Sequence, residues 1–170
     1  NDLNINYTFA DLLTDLNKIN IPRIRFTTSH PRDFDESTIA AMALGGNIMP
    51  HLHLPVQSGN NEVLKRMNRK YTKEEYMEKI NLLKEYVPGI SITTDIIVGF
   101  PGETEEQYHN LLDFLEEMKL DCVGAFPYSR EEGTAADRMD GHLEEDEKEK
   151  RAENLMELQY DTMYRKHETA

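Results

Sequence analysis

Two helix-start signatures bracket the most strand-like stretch of this chain, and that arrangement limits the possible folds more than any other feature. Thr72-Lys73-Glu74-Glu75 has the spacing of a capping box, in which the first and fourth side chains satisfy each other's backbone N–H groups. Met77, Ile80, Leu83 and Val87 then share one helical face until Pro88-Gly89 ends it. Thr104 to Gln107 repeats the signature and opens a helix with Tyr108, Leu111, Leu112, Leu115 and Met118 on one side. Between the two helices, Ile90 to Phe100 is rich in β-branched residues and runs into Pro101-Gly102. A strand placed between long helices is joined to its neighbours by crossovers, which makes the strands parallel.

The rest of the chain continues this alternation. Tyr7 to Lys18 carries a helical stripe at Phe9, Leu12, Leu13 and Leu16. Arg23 to Thr28, bounded by Pro22 and by Ser29-His30-Pro31, reads as a strand. Asp35 to Leu44 is a helix stopped by Gly45-Gly46, His51 to Val56 a second strand, and Asn60 caps a short helix through Met67. Cys122 to Tyr128 is the fourth strand, on which Cys122 reads as a packing residue. A polar loop at Asp137 to His142 leads to a charged helix from Glu144 to about Lys166, with a thin apolar stripe at Leu155, Leu158 and Met163. The fold class expected is α/β, with about four parallel strands, helices outside them and a long C-terminal helix. Four strands are too few to close an eight-stranded barrel, so the sheet is open or incomplete.

Composition narrows the partners. Against 19 basic residues stand 32 acidic ones, a formal charge of -13 that repels phosphate backbones unless the basic residues gather on one face. Lys65, Arg66, Arg69, Lys70 and Lys73 form one such group, which could meet phosphates or be a solvated helix face. With Cys122 as the one cysteine, the chain can build neither an internal disulfide nor a thiolate cage for zinc or iron and sulfur. No apolar run reaches the roughly 20 residues of a membrane span, and no signal peptide is visible, so a cytoplasmic location without membrane contact is expected.

In parallel α/β folds, ligands bind beyond the carboxyl ends of the strands. Four segments follow strands here: Ser29-His30-Pro31, Gln57-Ser58-Gly59, Gly99-Phe100-Pro101-Gly102-Glu103 and Tyr128-Ser129-Arg130. Gly99 and Gly102 let backbone approach a ligand, and Glu103 can accept from hydroxyls or amines, or simply favour the helix start. Asp95, a carboxylate inside an apolar run, needs a donor, either a ligand on the rim or Arg25 or backbone. His51 and His53 share one strand face and, with Asp95, could hold a metal for hydrolysis. A non-catalytic domain that binds a nucleotide on the same rim is a further reading.

Five segments, taken in order, resemble the methylthiotransferases of the radical S-adenosylmethionine superfamily. They are Arg25-Phe-Thr-Thr-Ser-His-Pro-Arg-Asp-Phe34, His51-Leu-His-Leu-Pro-Val-Gln-Ser-Gly59, Leu64-Lys-Arg-Met-Asn-Arg69, Thr94-Asp-Ile-Ile-Val-Gly-Phe-Pro-Gly-Glu-Thr104 and Tyr128-Ser-Arg-Glu-Glu-Gly-Thr134. The resemblance runs from about Phe9 to about Gln159. It implies a partial (βα)6 barrel that binds S-adenosylmethionine and a 4Fe-4S cluster. Reductive cleavage of the sulfonium then yields a radical that opens an unreactive C–H bond to methylthiolation. On this resemblance Gln57, Ser58, Asp95, Gly99 and Glu103 are cofactor contacts, Gly99 through its backbone. Ser29, His30 and Tyr128 are rim candidates on the substrate side.

The chain departs from that family in lacking its three-cysteine cluster loop. The expectation is therefore a piece of such an enzyme: residues 1–143 the later part of the barrel, with no metal ligands of its own, and 144–170 a helix leading toward a further domain. Ser29-His30-Pro31 and His53-Leu-Pro-Val-Gln-Ser58 resemble the branch that acts on a prenylated tRNA adenosine beside the anticodon, which is the substrate favoured; Tyr128-Ser-Arg-Glu-Glu-Gly-Thr134 also resembles the branch that modifies an aspartate of a small-subunit ribosomal protein. Taken alone, this polypeptide is expected to be inactive. Its unpaired sheet edges should drive self-association, so sedimentation should show species heavier than a monomer as concentration rises.

Overall fold

The computed structural model describes residues 7–28, 30–31 and 34–168, with side chains in the last helix as far as Arg165. Along the chain it contains α1 (Phe9–Leu16), α2 (Glu36–Ala43), β1 (His51–His53), α3 (Asn61–Arg66), α4 (Lys73–Tyr86), β2 (Ser91–Val98), α5 (Glu105–Met118), β3 (Cys122–Pro127), a 3-10 turn (Ala136–Arg138) and α6 (Glu145–Glu168). The strands form one parallel sheet in the order β1-β2-β3. Both capping boxes form as read: Thr72 and Glu75 close on each other, and so do Thr104 and Gln107. Asn60 and Asp35 also cap the helices that follow them. Among the described residues, no helix is long and apolar enough to cross a membrane.

Among the described residues the sheet has three strands rather than four. Arg23 to Thr28 meets its neighbour only at two isolated parallel bridges, Ile24 with Ile48 and Thr27 with His53. Between the bridges, two residues on one side thus face four on the other, and Pro50, inside the longer stretch, has no N–H to donate. A continuous ladder cannot form across that mismatch.

Strict alternation in β2 gives the sheet two faces. Ile92, Thr94, Ile96 and Val98 are buried, and Ser91, Thr93, Asp95 and Ile97 are half-exposed on the other face. The buried face packs on Tyr76, Ile80 and Leu83 of α4, Leu111 and Phe114 of α5 and Leu155 of α6. In β3 the same alternation buries Val123 and leaves Cys122 exposed, in register with Thr93 on the open face. Cys122 is therefore not a packing residue: strand parity turns its side chain away from the helices.

Past His53, the first strand bulges. Its ladder leaves off at His53–Thr93 and resumes at Gln57–Ile96, so three intervening residues face two on β2. Pro55 lies in the bulge. The carbonyls stranded there find partners on neighbouring side chains. Tyr76 donates to the Leu54 carbonyl at 2.9 Å, and Tyr71 to the Val56 carbonyl at 2.8 Å. The Thr94 hydroxyl donates to the Leu54 carbonyl and accepts from the Val56 N–H, both at 2.9 Å. Gln57 then has a positive φ of 73°, a conformation that costs a residue with a side chain.

Gly99, where β2 turns toward α5, needs its lack of a side chain twice over. Its φ is +70°, and an added Cβ would lie 2.3 Å from Cγ of Lys148 in α6. Gly99→Ala should lower the unfolding free energy by about 3 kcal/mol or more, from backbone strain and overpacking together. Gly89, at φ +78° with open space around it, should lose only about 1 kcal/mol as alanine. Urea unfolding of the two variants tests the difference.

Candidate active-site rim

On the open face, β1 and β2 bring a histidine and a carboxylate together. His53 stands in register with Thr93, whose hydroxyl lies 2.9 Å from Nδ1, and His53 Nε2 lies 3.2 Å from Oδ2 of Asp95. Asp95 therefore finds its protein partner in His53, not Arg25, and its side chain remains 36% exposed. Gly124 of β3 is in register with Asp95, and a Cβ there would come within 2.9 Å of Asp95 Oδ1. Space beside the second carboxylate oxygen exists because residue 124 has no side chain.

His51, two residues before His53, has a buried Nδ1 with no hydrogen-bond partner among the described residues. Burial pulls its pKa below the ordinary imidazole value, and the nearby Arg25 and His53 charges add to the effect. Among the described residues no group of three His, Cys, Asp or Glu side chains is arranged to hold a metal ion. The ligand set that a His51–His53–Asp95 hydrolase requires is thus not assembled.

At the strand ends, Gln57 is adjacent to Asp95: its N–H donates to the Asp95 carbonyl at 2.9 Å, and its carbonyl accepts from Ile97 at 3.0 Å. Ser58 is buried, with its hydroxyl accepting from the Asn60 N–H at 3.2 Å just before α3. Glu103 is 4% exposed and turns toward α6 instead of the open face. Its Oε1 accepts from the Gly99 N–H at 2.8 Å and from Arg151 Nη1 at 2.9 Å. Burial pushes the Glu103 carboxyl up, against the pull of the Gly99 N–H and Arg151. Burial also works against the Arg151 cation, but Glu147, Glu103 and Glu105 outweigh it and leave its pKa above the ordinary value.

Arg151 does more than meet Glu103. It also reaches Glu105 and Glu147 at 3.0 Å, and its guanidinium lies 5.1 Å from the Tyr108 ring. One turn earlier, the buried Lys148 donates to the Tyr128 carbonyl at 2.9 Å and pairs with Glu145. The charged helix therefore buries two cations against the ends of β2 and β3. Their signal in the sequence is spacing: Lys148, Arg151, Ala152, Leu155 and Gln159 lie on one helical face, and all are buried. Of the apolar stripe read from sequence, only Leu155 is fully buried; Leu158 and Met163 are half-buried.

His30 is half-buried, edge-on to the Tyr71 ring at 5.0 Å. Ser29 lies outside the described residues. Tyr128 is buried edge-on to Phe100 at 5.3 Å, with no partner for its hydroxyl among the described residues. Beside it opens a pocket of about 300 Å3 lined by Arg66, Met67, Arg69, Ile97, Phe100 and Met139. Gly124 had a signal in the sequence as a lone glycine within a strand, whereas the His53–Asp95 contact depends on register, which no local pattern encodes.

Removing one partner of a buried ion pair leaves the other charge uncompensated, so Arg151→Met should cost about 3–5 kcal/mol. Adding Glu103→Gln to that variant should recover most of the loss. Denaturant unfolding of both variants measures the coupling.

The chain matches the model of the Radical SAM superfamily over residues 2–115. It is 51% identical over 154 residues to the tRNA-2-methylthio-N(6)-dimethylallyladenosine synthase of Oceanobacillus iheyensis, covering 91% of this chain and 30% of that protein. The synthase of the same name from Bacillus subtilis is 51% identical over 152 residues, covering 89% and 30%. This chain thus spans about 30% of the length of these curated relatives. Among solved structures it is similar to coproporphyrinogen III oxidase from Escherichia coli, with a TM-score of 0.68 at 22% identity over 82% of this chain and 32% of that one. Archaeal Elp3 from Methanocaldococcus infernus gives a TM-score of 0.59 at 22% identity, over 78% and 31%. Those two likenesses bear on the fold, a radical SAM partial barrel of parallel strands and outer helices. The matched model, which takes in both Asp95 and the Gly99–Glu103 turn, establishes that this chain belongs to the radical SAM superfamily.

Proposed function

We propose that this chain is the S-adenosylmethionine-binding part of a methylthiotransferase whose whole protein acts on a prenylated adenosine beside a tRNA anticodon. The observation that carries the reading is Asp95: a carboxylate on the open face, steadied by His53 on one oxygen and given room by Gly124 at the other. Such a group can accept from an ammonium or from ribose hydroxyls. The tRNA substrate, rather than a ribosomal protein, is supported by relatives at about 50% identity that carry the tRNA synthase name.

The residues divide by what they can touch. Asp95 and Gln57 stand where a ligand on the open face can meet them. Ser58 sets the start of α3, and Glu103 holds the Gly99 turn in shape from the α6 side. In this reading Gly99 serves the ligand through the backbone that Glu103 fixes. His30 and Tyr128 belong to the substrate side of the rim. Residues 1–143 serve as the later part of the barrel, and the helix from 144 leads toward a further segment.

S-adenosylmethionine supplies, when bound, the carbon-centred radical chemistry that opens an unreactive C–H bond. The 4Fe-4S cluster of the superfamily does not fit the residues of this chain. Cys122 is its one cysteine, and no three-ligand group exists among the described residues. Radical generation is accordingly assigned to the whole protein, while this chain's residues bind and orient.

In the whole protein, Asp95→Asn should weaken S-adenosylmethionine binding by about tenfold through loss of a charge-assisted contact. Unchanged affinity would remove Asp95 from the cradle. The 170-residue chain alone, given a strong reductant, should not cleave S-adenosylmethionine; chromatographic detection of 5'-deoxyadenosine would overturn the division of labour.

A further inference from the structure

The backbone of His53 is fixed on both sides of its strand. It ends the regular pairing of β1 with β2, in register with Thr93, just before the bulge. From the other side Thr27 bridges to it, and its carbonyl accepts from the Thr28 N–H at 3.3 Å. On the open face both ring nitrogens are engaged, Nδ1 with the Thr93 hydroxyl at 2.9 Å and Nε2 with Asp95 Oδ2 at 3.2 Å. Main chain and ring are thus anchored together beside the carboxylate.

The chemistry of the two partners decides where the imidazole proton sits. An ionised carboxylate can only accept, so Nε2 must carry the hydrogen that meets Asp95. In the neutral ring Nδ1 is then bare, and it accepts from Thr93, whose hydroxyl can donate. Thr93 selects the tautomer, and the tautomer selects the oxygen. Oδ2 is engaged by His53, while Oδ1 faces the space over Gly124, where a Cβ would lie 2.9 Å from it. Phe126 bounds the same space, with its Cε2 3.1 Å from that Cβ position. An aspartate without such a neighbour turns its carboxylate readily, since the terminal torsion is broad, and must give up that freedom when a ligand binds.

We propose that His53 is a positioning residue: it donates from Nε2 to Asp95 and presets the carboxylate, Oδ1 outward, for the donor groups of the cofactor. Thr93 holds the ring in the tautomer this requires. The inference rests on the placing of Asp95 in the S-adenosylmethionine cradle and adds what orients that carboxylate.

Amide side chains separate this role from a merely structural one. In the whole protein, followed by equilibrium dialysis without reductant, S-adenosylmethionine should bind about fivefold more weakly to His53→Ala, through lost preorganisation of Asp95. His53→Gln, whose amide nitrogen reaches the place of the imidazole Nε2, should keep most of the affinity. His53→Asn overlays Nδ1 instead: it can still meet Thr93 but falls short of Asp95, and should bind as weakly as the alanine variant. Thr93→Val, which keeps the β-branched shape that the strand favours, should weaken binding about twofold by releasing the ring. Added to Asp95→Ala, His53→Ala should cost nothing further, because the carboxylate it positions is gone.

Full affinity in His53→Ala or in Thr93→Val would overturn the proposal. Recovery in His53→Asn but not in His53→Gln would do the same, as would a loss that multiplies with that of Asp95→Ala. The Gln and Asn pair and Thr93→Val decide the matter even where the alanine variant does not fold. Weak binding by Asp95→Ala alone is the mark of the proposed function, so full affinity there sinks that reading, whereas a failure confined to the His53 and Thr93 variants sinks only this one.

Discussion

One carboxylate holds the ligand end of this structure together. Glu103 accepts from the Gly99 N–H within its own turn and from Arg151 of α6, 48 residues further on. The turn after β2, the start of α5 and the last helix therefore share one buried ion pair. Lys148 adds a parallel tie from α6 to the end of β3 and occupies the space that a side chain on Gly99 would need. Buried ion pairs contribute little net stability compared with apolar packing of similar shape. What this one supplies is position: a turn that could sample several conformations is fixed where a ligand would meet it. The same tie joins the long helix to the turn at the end of β2.

The sheet divides labour between its faces. Helix-facing residues of β2 are wholly apolar apart from Thr94, and Thr94 serves as a backbone partner across the bulge of the first strand. The open face keeps polar side chains within reach of one another, with Thr93, His53 and Asp95 in one chain of contacts. The bulge carries weight here because it ends the regular pairing of the first strand just before Gln57, at the rim. Tyr71 and Tyr76 satisfy the carbonyls it exposes, so the irregularity is a supported feature of the fold.

Much of this was legible locally. Capping boxes at Thr72 and Thr104, the Asn60 cap and the β-branched run of β2 are local patterns, and each formed where its residues predict. The fourth strand was not legible in the same way. Arg23 to Thr28 has strand composition, but pairing needs a partner in step, and Pro50 and the two-residue mismatch deny it one. Cys122 has the surroundings of a packed residue in sequence, yet strand parity turns it outward. The last helix reads as charged with a thin apolar stripe, and only its docking against the sheet shows that Lys148 and Arg151 are among its most buried residues.

By itself, then, the amino-acid order determined the helices, the parallel character of the sheet and the family, because these depend on periodicity, caps and contiguous motifs. Tertiary structure decided that Asp95 meets His53, that Glu103 faces Arg151 and that Arg66 and Arg69 flank an apolar recess. The first two contacts join residues more than 40 positions apart, and the third joins three separate stretches of the chain. Such contacts are fixed by strand register and helix docking, which follow from how the whole core packs and from no short stretch of chain.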